Sequence, residues 1–188
     1  MSFLLMSTPL AGLMVVQREA HIDARGHFAR LFCADELAAC GWAYPMAQVN
    51  HSRTLGIGVV RGLHYQIAPH AEMKLVSCLH GAVWDVAVDL RKGSATYLQW
   101  HGQLLSADNQ QAMLIPAGFA HGFQAQTEQA DLLYCHSHAF CEQAQAALNA
   151  LDPCLGLEWP LPIAARSQRD ERVPYIDDSF EGIAYGEA

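Results

Sequence analysis

The sequence predicts an all-β chain folded as a sandwich or barrel. Three observations carry that prediction. Short apolar runs of strand length recur along the chain, turn residues separate them at regular spacing, and helical patterning is confined to two short stretches. With 188 residues, a single domain spanning 1–188 is expected, and it can bury a real core.

The elements follow in order. The N-terminal segment MSFLLMSTPLAGLMVV is apolar like a secretory segment, but it has no Lys or Arg before Arg18 and carries Pro9, so it reads as a strand. Further strands are expected at Val15–Ala20, Ala29–Cys33, Gly58–Tyr65, Met73–Leu79, Ala82–Leu90, Tyr97–Leu105, Ala112–Ile115, His121–Ala125 and Asp131–Phe140. Breaks fall at Asp23–Gly26, His80–Gly81, Lys92–Gly93 and Pro116–Gly118, where glycine or proline suits a turn. Asp35–Cys40 reads as a short helix with Asp35 as its start signal, and Glu142–Leu151 reads as a second. The tail from Pro160 reads as extended chain wrapped over the domain.

Composition narrows the function. Hydrophobic residues make up 52% and charged residues 16%, too apolar for disorder and apolar enough to suggest surface buried between subunits. The formal net charge of -8 argues against nucleic-acid or anionic-membrane partners. The six cysteines contain no CxxC pair and read as reduced thiols of a cytoplasmic protein.

The run VVRGLHYQ, Val59–Gln66, places a histidine in a strand beside an arginine, with Lys74 close behind. A base, an anion clamp and a cation are what proton abstraction beside a carbonyl requires. Alternation puts Gly62, His64 and Gln66 on one face and Arg61, Leu63 and Tyr65 on the other. Lys74 is one of only two lysines and sits in an apolar run, so it needs a partner; Asp85 and Asp89 share a strand face and are candidates. In YCHSHAF, alternation aligns Tyr134, His136, His138 and Phe140, and a tyrosine facing a pocket can serve as an acid. Arg25, Arg53 and Arg61 lie near strand ends, where guanidiniums can clamp a diphosphate. IPAGFAHGF contains PxGxxH ending at His121, a metal-ligand spacing of cupins, but His64-Tyr65-Gln66 lacks the second histidine of the matching HxH.

Taken together, DARGHF (Asp23–Phe28), QVNHS (Gln48–Ser52), VRGLHYQ (Val60–Gln66), Lys74–Val76, WDVAVDLR (Trp84–Arg91), GSAT (Gly93–Thr96), IPAGFAHGF (Ile115–Phe123), Tyr134 and DPCLGLEWP (Asp152–Pro160) resemble the dTDP-4-dehydrorhamnose 3,5-epimerase family, the RmlC-type sugar-nucleotide epimerases. The segments run in family order and cover most of the chain. The resemblance implies a double-stranded β-helix, the jelly-roll cupin, using no metal or other cofactor. It also implies a homodimer that exchanges N-terminal strands, and a nucleotide-sugar substrate.

The resemblance further implies roles. His64 matches the base, Asp170 the acidic residue that orients it, Lys74 the cation near the enolate oxygen, and Tyr134 the acid. His121 matches a substrate-contacting histidine; Arg25, Gln48, Asn50 and Arg61 match nucleotide and diphosphate contacts, and Phe28 falls in the same substrate-binding motif as Arg25. Two positions depart. Phe140 stands where relatives often carry a second tyrosine, and Arg30 where some carry an acid. The implied reaction inverts carbons 3 and 5 of a nucleotide-linked 4-keto-6-deoxyhexose through an enolate. The alternatives are inversion of a single carbon, a metal-dependent cupin enzyme and a non-catalytic sugar-binding cupin.

Overall fold

A computed structural model describes residues 2–184. In chain order the strands are β1 (Phe3–Ser7), β2 (Met14–Arg18), β3 (Ala20–Asp23), β4 (Gly26–Ala29), β5 (Gln48–Leu55), β6 (Val60–Gln66), β7 (Lys74–His80), β8 (Ala82–Asp89), β9 (Trp100–Ser106), β10 (Gln111–Ile115), β11 (Phe119–Ala125), β12 (Gln129–His136) and β13 (Gln145–Ala147). Two short α-helices, α1 (Ala34–Leu37) and α2 (Gln168–Glu171), complete the framework with two 3₁₀ turns. No helix among the described residues is long and apolar enough to cross a membrane.

The strands form a six-stranded sheet, β1-β2-β10-β7-β12-β5, and a five-stranded sheet, β13-β6-β11-β8-β9. From β5 to β13 the chain alternates between the sheets at almost every step, which winds it into a double-stranded β-helix. Pairing within both sheets is antiparallel. Strand periodicity then sorts the side chains. Val76, Met113, Leu132 and Phe123 meet between the sheets. Leu75, Ala112 and Cys135 face the other way and are covered by Leu37 and Trp42. Outside the smaller sheet, Leu63, Val86 and Val88 are covered by Leu148, Leu155 and the tail residues Ile176 and Phe180. The tail is therefore wrapped over the domain as expected, though it also carries α2.

Three expectations need correction. Residues 145–147 form β13 rather than a helix, pairing Gln145–Ala147 with His64–Gln66. Helix propensity yields here because the edge of β6 offers backbone partners, extended by reciprocal bonds between Leu63 and Leu148. Ala29–Cys33 is not a strand: β4 ends at Ala29, and the next residues lead into α1, turning Phe32 edge-on to Trp42. α1 starts at Ala34 with Cys33 as N-cap, so Asp35 lies in its first turn rather than at the cap. The strand β5 has no counterpart among the predicted elements.

Candidate active site

One end of the sandwich opens into a cavity of about 780 Å³. Its walls come from different sheets. His64 on β6 and His121 on β11 line one wall; Lys74 on β7, Tyr134 and His136 on β12, and Gln48 and Asn50 on β5 line the other.

The β6 wall depends on an irregularity. His121 pairs with His64 and Phe123 with Arg61, so Gly62 and Leu63 together face the single residue Gly122. The extra residue breaks period-two alternation. Arg61 and His64 therefore both line the cavity, correcting the opposite-face expectation. Gly62 has φ +119, and a Cβ there would lie 2.6 Å from the Cα of Gly122. No other residue fits that approach.

The imidazole of His64 meets Asp170 Oδ1 through Nε2 at 2.7 Å. The pair is 106 residues apart in sequence; α2 delivers the carboxylate, with Ser167 Oγ accepting from Asp170 N at 3.1 Å. Burial alone would raise the Asp170 pKa, but the hydrogen bond and charge of His64, with help from Ser167 and Gly62, hold it below the usual range. A charged partner on Nε2 leaves Nδ1 unprotonated, as a base requires.

Lys74 is buried, with its side chain 8% exposed. Its partner is neither Asp85 nor Asp89. The ammonium lies 3.1 Å from Glu72 Oε1 and donates to the His64 carbonyl at 3.1 Å. Asp89 is occupied by Arg91, Ser94 and Thr96 in the turn after β8. Asp85 is fully buried against His121 Nε2 at 2.7 Å. Burial pushes Asp85 up, opposed by His121 and by the more distant charge of Lys74.

Tyr134 stands across from His64. Its hydroxyl lies 3.4 Å from Ser52 Oγ, and its ring is edge-on to His121 at 5.9 Å and stacked on His136 at 6.0 Å. Burial pushes the phenol pKa up, so the hydroxyl holds its proton at neutral pH. β12 ends at His136, and the bend that follows returns Phe140 to the cavity wall with Phe140 N donating to Gln48 Oε1 at 2.9 Å. His138 does not share that face; its ring packs near those of Tyr44 and His70.

Of the remaining candidates, Arg61 donates to Thr54 Oγ1 at 2.9 Å and lines the rim with Gln48 and Asn50. Arg25 and Phe28 are not brought to this cavity. They sit on the β3–β4 hairpin, with the Arg25 side chain 90% exposed and bound to Asp23, and Phe28 67% exposed. The hairpin pairs only within itself, so nothing in its own chain folds it over the opening. Sequence patterning did not single out Glu72, Arg166 or Arg169, all of which line the cavity. Glu72 had one available signal, its place two residues before Lys74 on the same side of an extended segment.

The model of the dTDP-4-dehydrorhamnose 3,5-epimerase family matches residues 7–178. The chain belongs to that family. A dTDP-4-dehydrorhamnose 3,5-epimerase of Pseudomonas aeruginosa is 46% identical over 145 residues, covering 76% of this chain and 79% of the relative. A dTDP-4-dehydrorhamnose 3-epimerase of Streptomyces niveus is 36% identical over 163 residues, covering 86% and 78%. Among solved structures, the Legionella pneumophila 3,5-epimerase in complex with dTDP-4-keto-L-rhamnose superposes with a TM-score of 0.91 at 34% identity, covering 98% of this chain and all of that one. The relatives of this chain thus include both 3,5-epimerases and a 3-epimerase.

Proposed function

We propose that this chain epimerises carbons 3 and 5 of a nucleotide-linked 4-keto-6-deoxyhexose, of the dTDP-4-dehydro-6-deoxyglucose to dTDP-4-dehydrorhamnose type. The observation that carries the reading is a carboxylate-paired imidazole, His64–Asp170, on one wall and a half-buried phenol, Tyr134, on the other. Inversion needs proton removal from one face and return to the other. The keto group at carbon 4 acidifies the hydrogens on its neighbours. His64 Nδ1 takes one as the C–H electron pair moves into the enolate. The Lys74 ammonium balances the oxygen charge, Tyr134 delivers its proton from the opposite side, and solvent restores both groups. Each positioned acid or base contributes about 100- to 10,000-fold.

Arg61, Arg166 and Arg169 at the cavity rim suit a diphosphate, and Gln48, Asn50, His121 and Phe140 line the space for sugar and nucleoside. Gln66 stands where the HxH pair would place its second histidine, which supports a reaction without a resident metal. We place Arg25 and Phe28 in the partner's cavity of a homodimer that exchanges its N-terminal hairpins. Their exposure, with that of Ile22 at 80%, supports this. We assign residues 1–188 to one domain and the enzyme to the cytoplasm, where sugar nucleotides are made.

One observation favours a second reading, inversion of a single carbon: Phe140 supplies no hydroxyl at the wall beside Tyr134. The test is incubation of the enzyme with the 4-keto sugar nucleotide in deuterated water. Deuterium at carbons 3 and 5 is expected. Deuterium confined to carbon 3 after long incubation establishes the single-carbon reading instead.

A further inference from the structure

Lys74 carries four rotatable bonds, and an ammonium that must meet one developing oxygen needs something to hold it. The structure shows a graded set of contacts around it. Glu72 Oε2 accepts from His136 Nδ1 at 3.2 Å and from Gln66 Nε2 at 3.0 Å. Those two donors, from β12 and β6, fix the carboxylate plane. The other oxygen, Oε1, is left for Lys74 Nζ at 3.1 Å. The Glu72 side chain is 9% exposed. Burial works against its charge, and the hydrogen bond from His136 and the charge of Lys74 overcome that effect, so the carboxylate stays ionised. The other acid near Lys74 is Asp85 on β8, which is committed to His121.

Gln66 extends the set. Its Nε2 hydrogens go to Glu72 Oε2 and His70 O, both at 3.0 Å, and its Oε1 accepts from Cys141 N at 2.6 Å, so the segment carrying Phe140 hangs from the side chain that steadies Glu72.

We infer that Glu72 is the positioning residue for Lys74, with His136 and Gln66 setting its carboxylate and the His64 carbonyl completing the grip. The inference rests on the epimerase reading above, in which Lys74 faces the enolate oxygen. Glu72 does not touch substrate in this account; it acts through the lysine.

A double-mutant cycle in deuterated water tests it. Glu72→Leu alone is expected to lower kcat about 30-fold or more with KM within about threefold, because Lys74 acts on charge that develops only in the transition state. Glu72→Asp should recover part of that loss. In a Lys74→Met background, Glu72→Leu should change kcat by less than about twofold, since the group it positions is gone. Equal losses in both backgrounds would make Glu72 a structural residue and overturn the inference, as would an unchanged kcat in the single variant. If Glu72→Leu does not fold, Glu72→Gln provides the same comparison with a side chain of the same size. Wild-type enzyme that exchanges no substrate hydrogen would instead refute the epimerase reading, a separate outcome.

Discussion

Asp170→Asn isolates the contribution of the charge behind His64, the base of the proposed reaction. The carboxylate is 3% exposed and lies 2.7 Å from His64 Nε2, with Gly62 N at 3.5 Å from its second oxygen. Asparagine keeps the shape but replaces one oxygen with NH₂. If that NH₂ faces Gly62, two donors oppose each other; if it faces His64, the imidazole must accept on Nε2 and carry its proton on Nδ1, the nitrogen that should act as base. A hydrogen bond to a charged group contributes about 1.5–3 kcal/mol. At about 1.4 kcal/mol per decade, a loss of about 10- to 150-fold in kcat is expected, and more if the tautomer reverses. The cap of α2 comes from Ser167 and is untouched, so the fold should persist. Deuterium washout followed by proton NMR measures the rate, and circular dichroism checks the fold. A folded Asp170→Asn enzyme within about threefold of wild type would show that His64 needs no orienting carboxylate.

Tyr134→Phe should retain washout of substrate hydrogen while forming little epimer, because the proposed reaction removes the proton at the other wall; equal loss of both would move Tyr134 to the first step. Gly62→Ala forces a Cβ to 2.6 Å from Gly122 Cα and 2.8 Å from His121 O at φ +119, and should cost about 2–4 kcal/mol by urea unfolding; a loss under 1 kcal/mol would mean the two strands separate freely. Burial raises the Asp89 pKa, but Arg91, Ser94 and Thr96 outweigh it and hold it at about 2 against an ordinary 3.8. A depressed carboxylate stabilises the fold above its unfolded value, and that contribution fades as pH falls from about 4 to 2. After screening, this is about 1–2 kcal/mol, and Asp89→Asn should flatten that part of the stability profile; an unchanged acid slope would refute it.

The parts of this site legible in the sequence were those in which a residue type broke its local pattern. His64 and Lys74 stand out in apolar strands, and turn residues marked most strand ends. What was missed lay in the third dimension. Lys74 drew attention to Asp85 and Asp89 because alternation aligned them, yet which strand faces which across the sandwich is not written in periodicity. The extra residue at Gly62–Leu63 shows only once β6 is paired with β11. β5 escaped because it is an edge strand whose Gln48 and Asn50 face a wet cavity rather than a core, so its polar sequence reads as loop. The alanine-rich stretch at 144–147 reads as helix by propensity, and only the open edge of β6 makes it a strand.

Lys74 belongs to the six-stranded sheet, but its ammonium is tied to a main-chain carbonyl of the five-stranded one. It is thus a cross-brace between the two sheets beside the cavity, and the atom it grips is the backbone carbonyl of His64. Any force that parts the two sheets at this end must pull the cation away from His64 as it widens the gap between the two cavity walls. In the proposed reaction, an enolate that drew the ammonium toward itself would pull through the same tether on the strand carrying His64. On that reading, charge developing on the substrate and the spacing of the walls are linked through one side chain.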